Sequence, residues 1–540
     1  MPVDVHAIEI VFLLLLFFVV AFGMLARKLQ TAYPIVMVIG GVLLSLIPGI
    51  PKITLNPDLV FLVILPPLLY GAAWLTSWRE FSYNIVSVLF LAFGLVGFTV
   101  VGVSYACHWA LPGFDWRMGL VLGAVVAPTD AIAATSIAKR IGLPKRVVDV
   151  LEGESLLNDA TALLALEFGI VLLVGGQRPT FALGFLRLAY LVVLGILVGL
   201  VVGEIVHQIE HRIDDAPIEI ALSILTPYVA YLIAESVDAS GVLAVVVCGL
   251  YLARNSSHFF SPSVRVQAWA VWDSLTFILN GFVFVLIGLQ LPYVLHAIRD
   301  YSLGRLILYG AIFSAFLIVL RLLWVFPGTQ VSYLIRRRLL HQKEATPTAR
   351  LTFVVGWTGM RGVISLAAAI AVPQVLANGE PFAQRSMIIF LTFSVILVTL
   401  VLQGLTLPSV IRILGLAGAS APLCHAEEEE EARKAMLEAA LAHLEEARSK
   451  AGGSENEVYE DLALHYRRRL AVVGKGDDRE QEGASLDFYK SFAELSRELL
   501  RVERQTALQL RNQRRISDEF LRELEHELDL SELRLQRKRG

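Results

Sequence analysis

The chain carries Ala127-Pro128-Thr129-Asp130 inside one apolar segment and Gly153-Glu154-Ser155-Leu156-Leu157-Asn158-Asp159 inside the next. Together they put three carboxylates, a proline and several small hydroxyl or amide groups into sequence apolar enough to span a membrane. Polar groups at that depth are costly and mark function by default. Pro128 removes one backbone N–H and frees the carbonyl of Ala124, four residues earlier. Broken helices at membrane depth line a cavity or an ion site. On a continuous helix, residues four apart share a face, so Ser155 lies beside Asp159 and Glu154 beside Asn158. One face then serves an ion while its neighbour is tied down structurally. The competing reading puts both motifs at helix N-termini in loops, with Asp130 or Ser155 as a cap. The apolar sequence on both sides of each motif weighs against it.

Outward from this stretch, the chain of 540 residues is only 18% charged, and its mean hydropathy is +0.64. Residues 1–420 form a series of apolar runs, and residues 421–540 a charged, helix-favouring tail. This is the pattern of an all-α polytopic membrane protein with a C-terminal appendage. The net charge of -3 averages two unlike parts and carries no signal for nucleic acid. Cys107, Cys248 and Cys424 lie far apart and fit no metal-ligand spacing. The N-terminus lacks the positive start and small-residue cleavage site of a signal peptide, so the first apolar run reads as a retained span.

With about 20 apolar residues per crossing, spans fall near 8–26, 33–49, 57–75, 84–110, 117–138, 149–174, 181–207, 217–236, 240–254, 268–291, 303–327, 350–373 and 385–415. That count is thirteen, and the tenth span has a candidate bend at Asn280-Gly281. One set of loops is richer in basic residues, including Lys139, Arg140, Lys145, Arg146 and the run from Arg336 to Arg350. The positive-inside rule places that set in the cytoplasm, the N-terminus outside and the tail inside. The fifth span is interrupted at Pro128 and the twelfth at Gly356-Trp357-Thr358-Gly359-Met360-Arg361-Gly362. Their separation by seven spans predicts two inverted repeats, about 8–174 and 217–415, with a substrate site where the broken helices cross. The tail predicts helices near 427–449, 456–473, 486–511 and 513–537, separated by Gly452-Gly453 and by the polar stretch 474–483. Leu437, Leu441 and Leu444 recur at helical spacing, which suits a small bundle or an intersubunit coil; a weakly ordered extension is the alternative.

A buried carboxylate is a hard oxygen ligand for small cations, and it also takes up a proton when burial disfavours its charge. One such group, exposed to one face of the membrane at a time, suffices for exchange. Asp159 is the candidate, with Asp130, the hydroxyls of Thr129 and Ser155 and the carbonyls freed at Pro128 completing an oxygen cage. No His or Cys cluster nearby suggests a transition metal. Arg321 and Arg361 are the cations within the apolar part, and Glu154 is the natural counter-ion for one of them; Arg321 alternatively snorkels to the interface. Glu167, Glu204, Glu235, Asp238 and Asp273 read as pore-lining or interfacial acids, and Asn280 as a buried amide holding helices together. The chain has no phosphate loop, no H-E-x-x-H and no serine elbow, so the motifs of enzymes and nucleotide-driven pumps are missing and transport would draw on an ion gradient.

These motifs, with Leu65-Pro66-Pro67-Leu68-Leu69, Arg321 and Gly359-Met360-Arg361-Gly362, stand in an order that resembles the bacterial sodium/proton exchanger, NhaP-like branch of the monovalent cation/proton antiporters. The resemblance covers roughly residues 8–415. It implies thirteen helices, a dimerisation domain and a core domain that moves the substrate by an elevator-like shift. It implies a homodimer in the cytoplasmic membrane, no cofactor, and Asp159 as the shared proton and cation site. Asp130, Ser155 and Thr129 would be co-ligands for Na+, Glu154 would pair with Arg321, and Arg361 would have a supporting role. Asn158 before Asp159 is similar to the electroneutral, one-for-one members. The tail matches no motif, and any regulator it binds is unassigned. Rival readings are a potassium/proton antiporter, a cation channel lined by Asp130 and Asp159, and a membrane-embedded sensor whose output is the tail.

Overall fold

In the computed structural model the regular secondary structure of the described residues is helical, apart from one antiparallel bridge between Val375 and Pro381. The structure describes residues 5–47, 57–110, 113–174, 181–213, 215–260, 262–298, 301–342, 346–376, 381–417, 422–450 and 456–473, with scattered positions from 495 to 531. It divides into two compact units, Met1–Ser420 and Ala421–Gly540.

In the first unit ten described helices are long and apolar enough to cross a membrane, and two shorter apolar helices, Tyr33–Ser45 and Gly241–Ser256, accompany them. The expected twelfth span is two short helices, Ala349–Trp357 and Val363–Ala371, separated at Thr358–Gly362. The expected tenth runs unbroken through Asn280-Gly281 as Pro262–Leu289. Asn280 is buried there and bonds the side chain of Tyr33, so its amide ties two helices together and leaves the backbone regular. Many large apolar side chains stand on the outer surface, among them Val101, Tyr105, Trp109, Leu186, Ile307 and Leu323. Such exposure would be anomalous in water and is what a lipid-facing surface requires. This is a membrane protein.

The eleventh span is longer than its apolar run suggested. The helix Leu303–Arg338 continues through Pro327 for more than two further turns. Neighbouring helices and side chains re-satisfy backbone groups freed by a proline inside a membrane bundle. Arg321 is therefore far from a helix end, and snorkelling is excluded, since its side chain is 1% exposed.

Around Pro128 the geometry follows from the missing N–H. The helix Trp116–Val126 stops, residues 127–130 are non-helical, and a second helix, Ala131–Ile141, starts beyond them. Gly119 and Gly123 let the first half lie directly on Val96–Ala110. A Cβ on Gly119 would sit 2.7 Å from the Ser104 Cα, and one on Gly123 2.8 Å from the Val100 Cα. Small residues four apart permit this close backbone approach where no hydrophobic driving force separates helix from lipid. Thr399–Gln403 forms a wide π-helical turn that presents Thr399 inward.

In the second unit, Pro422–Lys450 and Asn456–Val473 pack together. Leu437 and Ala463 are buried, and Arg448 bonds Glu460 at 2.8 Å. The expected break at 452–453, the stretch 474–483 and most of the two last predicted helices lie outside the described residues.

Gly123→Val should force the two helices apart, because its β-carbon meets backbone and not a movable side chain. A loss of about 1–3 kcal/mol or more is expected, read as a lower melting temperature in detergent; unchanged melting would contradict the close packing.

Candidate functional site

Cutting two helices inside an apolar bundle leaves backbone N–H and C=O groups without partners at the cut ends. Here each cut supplies partners to the other. The Asp130 N–H donates to the Met360 carbonyl at 2.8 Å. The Arg361 Nε donates to the Val126 carbonyl at 3.1 Å, its Nη1 donates to the Gly359 carbonyl, and its backbone N–H donates to the Thr399 Oγ1 at 3.1 Å. Gly362 passes so close to Asp130 that a β-carbon would overlap the Asp130 carboxylate. The crossing predicted from the two interruptions is therefore a direct backbone contact.

The charges at the crossing match the helix ends. The Asp130 Oδ1 accepts the Ile132 N–H at 2.8 Å and caps the Ala131–Ile141 helix. Gly362, which starts the Val363–Ala371 helix, lies against the same carboxylate. Two positive helix ends thus face Asp130. Arg361 instead donates to the carbonyl of Val126, at the negative end of Trp116–Val126, and to that of Gly359, two residues beyond the negative end of Ala349–Trp357. Each end carries roughly half an elementary charge. The cap reading of Asp130 was right about the hydrogen bond, but the cap lies inside the span and not in a loop. Ser155 caps the same helix from outside it, since its Oγ accepts the Ala131 N–H at 3.3 Å and donates to the Thr129 carbonyl at 2.8 Å.

Thr129 joins the break to the helix Lys145–Val174. Its hydroxyl donates to the Glu154 Oε1 at 3.1 Å and accepts from the Asn158 Nδ2 at 2.5 Å. Glu154 is also held by Arg321, Nη1 to Oε1 at 2.5 Å and Nη2 to Oε2 at 2.9 Å. The guanidinium also donates to the Gly356 and Val355 carbonyls, at 3.2 and 3.1 Å. Glu154 and Arg321 are each 1% exposed.

Asp159, five residues after Glu154 on the same helix, is very different in its surroundings. It is 7% exposed. Among the described residues no group donates a hydrogen bond to its carboxylate, and the nearby charge acting on it is that of Asp130. The Asn158 Oδ1 is likewise buried without a partner. The unused oxygens at the crossing are therefore those of Asp159, Asp130 Oδ2 and Asn158 Oδ1. Thr129 and Ser155 are engaged in protein hydrogen bonds, although the Thr129 carbonyl and the Ser155 hydroxyl each retain a lone pair.

Several participants were not legible in the sequence. Thr399 had no motif to mark it; Met360 and Gly362 fall in the run that marks the second interruption, but their backbone contacts with Asp130 do not show in the sequence. On helices outside the crossing, Glu210 and Glu219 are also buried, each 1% exposed; they lie at predicted span ends, where acids are ordinary. Of the acids read as pore-lining or interfacial, Glu167 pairs loosely with Arg187 at 3.7 Å, and Glu204 accepts from Gln208 at 2.8 Å and from Tyr251.

An all-helical membrane bundle with two interrupted helices crossing at buried carboxylates is the architecture of a secondary transporter. Residues 13–413 match the family model described as the transmembrane sodium/hydrogen exchanger. The chain belongs to that family, and it is a cation/proton antiporter and not an enzyme. An uncharacterized Na+/H+ exchanger of Mycobacterium bovis is 36% identical over 96% of this chain and 94% of its own length. A sodium, potassium, lithium and rubidium/H+ antiporter of Bacillus pumilus is 34% identical over 69% of this chain and 57% of its own. Among solved structures, the sodium/proton antiporter MjNhaP1 of Methanocaldococcus jannaschii has the same fold, with a TM-score of 0.56 at 19% identity over 75% of this chain and 98% of that one.

Removing one partner of a buried ion pair strands the other, at a cost of about 3–5 kcal/mol. Arg321→Met or Glu154→Gln alone should therefore lower thermal stability sharply, and the double variant should recover part of the loss. Equal melting of all four proteins would show that the pair does not couple these helices.

Proposed function

We propose that this protein exchanges Na+, or Li+, for H+ across the cytoplasmic membrane of a bacterium, with the two ions competing for Asp159 as the core alternates between the two faces. The observation carrying this reading is the contrast between two carboxylates on one helix: Glu154 is saturated by Arg321 and Thr129, while Asp159 is buried with both oxygens unused among the described residues. Asp130 Oδ2, Asn158 Oδ1, the Ser155 hydroxyl and the Thr129 carbonyl complete the cation's oxygen shell, with Pro128 keeping the backbone open there. Arg361 holds the crossing.

The local charges support a one-for-one, electroneutral exchange. Asp130, Glu154 and Asp159 face Arg321 and Arg361, which in their ordinary charge states leaves one negative charge. One proton or one monovalent cation neutralises it. The remaining parts of the reading are a homodimer, inverted repeats over 8–174 and 217–415, an external N-terminus, and residues 421–540 as a cytoplasmic regulatory domain. The biological role is pH and sodium homeostasis. Potassium is the second candidate cation, supported by the name of the Bacillus pumilus relative, which includes it.

Everted vesicles test the proposal. Asp159→Asn should abolish cation-dependent proton flux, and full flux in that variant would sink the assignment. Below the pKa of the exchanging group, apparent cation affinity should fall about tenfold per pH unit, as simple competition requires; an affinity independent of pH would argue for separate sites. Sodium, lithium and potassium in the same assay decide the preference.

A further inference from the structure

One acid inside the membrane has no part in the exchange described above. Asp273 is exposed although it lies well inside the 28-residue helix Pro262–Leu289, about 16 Å from its start. A carboxylate at that depth turned toward lipid would be very costly, and aspartate is too short to snorkel far, so its exposed side belongs to water. Asp273, Phe277 and Asn280 recur at spacings of four and three and therefore share one face of the helix. Over about two turns this face passes from the exposed acid to Asn280, which is 7% exposed.

Tyr33 lies on that stripe. Its ring meets Phe277 edge-on with centroids 5.4 Å apart, its hydroxyl is hydrogen-bonded with the Asn280 side chain, and the Asp130 and Asp273 carboxylates both act on it. The side chain thus stands within electrostatic range of an acid open to water and of an acid at the crossing. Close backbone packing fixes its position: a β-carbon on Gly41 would overlap the Val285 carbonyl oxygen, and one on Gly288 that of Val38, so Tyr33–Ser45 and Pro262–Leu289 form a tightly packed pair. That pair abuts the crossing, with Tyr33–Ser45 packed on Ala131–Ile141 and Pro262–Leu289 on Val363–Ala371. These are the two helices whose N-termini face Asp130.

We propose that Asp273 and Tyr33 form the cation's approach to the crossing: Asp273 draws the ion in from water, and the Tyr33 hydroxyl oxygen passes it on to Asp130 and Asp159. This deepens the exchange reading and rests on it. A carboxylate at the mouth of a low-dielectric path concentrates cations and repels anions. A hydroxyl oxygen is a hard ligand without a charge of its own, so it replaces part of the ion's water without trapping the ion, the balance that passage requires. Asn280 holds the hydroxyl and Phe277 the ring. The rival reading is that Tyr33 and Asn280 merely tie two helices together; it predicts a change in melting temperature and none in cation affinity.

Sodium-dependent proton flux of the full-length protein in vesicles tests the approach. Tyr33→Phe keeps the ring on Phe277 and removes only the hydroxyl. It should raise the half-saturating sodium concentration about fivefold, the loss expected for one hydrogen bond, with the rate at saturating sodium within about twofold of the unmodified protein. Asp273→Asn should raise it by a similar factor at low ionic strength, and the difference should shrink when choline chloride screens the acid. In a Cys424→Ser background, whose remaining native cysteines Cys107 and Cys248 are buried, Asp273→Cys should react with a charged, membrane-impermeant thiol reagent. Absence of that reaction would place the position in lipid and overturn the proposal. Unchanged half-saturation in both Tyr33→Phe and Asp273→Asn would do the same, whatever their melting temperatures. Asp159→Asn, run alongside, separates the two levels: full flux in that variant removes the exchange reading itself, whereas lost flux there with unchanged affinity in the other two removes only the approach.

Discussion

An interrupted helix in a bilayer exposes dipole ends and unpaired backbone groups where no water can solvate them. This chain interrupts two helices and places the interruptions against each other, so the backbone of one break satisfies the other through Asp130 and Met360. The remaining charge is handled by two side chains of opposite sign. Asp130 faces two helix N-termini, and Arg361 bonds the last carbonyl of Trp116–Val126 and that of Gly359, just beyond Ala349–Trp357. With both present the crossing is internally compensated. Without either, an uncompensated group costing several kcal/mol would be left in a low-dielectric interior.

Thr129 transmits this arrangement to the neighbouring helix. Its hydroxyl sits between Glu154 and Asn158, and its carbonyl holds Ser155. These three residues lie within two turns, so the helix cannot rotate or slide relative to the break without losing several bonds together. Arg321 extends the same network to the second interrupted helix through the Val355 and Gly356 carbonyls. Each of these side chains is held in place by at least one bond of this network. Asp159, on the same helix, is positioned by that framework without being consumed by it.

The fold was legible in the sequence because hydropathy and two rules of helix chemistry sufficed. Pro128 removes a helix hydrogen bond and favours a break, and the glycines of the Gly356–Gly362 run leave room for a crossing. The division of the acids was legible from helical spacing, which put Glu154 and Asn158 on one face and Ser155 and Asp159 on the next. Backbone-mediated contacts were not legible. The proline rule points to Ala124 as the freed carbonyl, whereas the structure uses that of Val126, because the helix ends where Arg361 supplies a donor. The apolar run of the eleventh span stops at Pro327, yet the helix does not, because a proline in a packed bundle need not terminate one. Thr399 required knowing that a π-helical turn rotates it toward Arg361.

The balance of charge connects this architecture to exchange. Arg321 cancels Glu154 at bonding distance and leaves Arg361 to offset one of Asp130 and Asp159, both of which face the same space. A residual negative charge in an apolar interior is costly, and the cost falls when one positive charge arrives. On the proposed reading, a proton and a monovalent cation each meet this condition and compete, because either one removes the attraction that would draw in the second. An aspartate in place of Asn158 would add a second unit of negative charge and call for a second positive one. The amide at this position keeps the deficit at one, so on the proposed reading a single residue beside Asp159 sets the stoichiometry of the whole cycle.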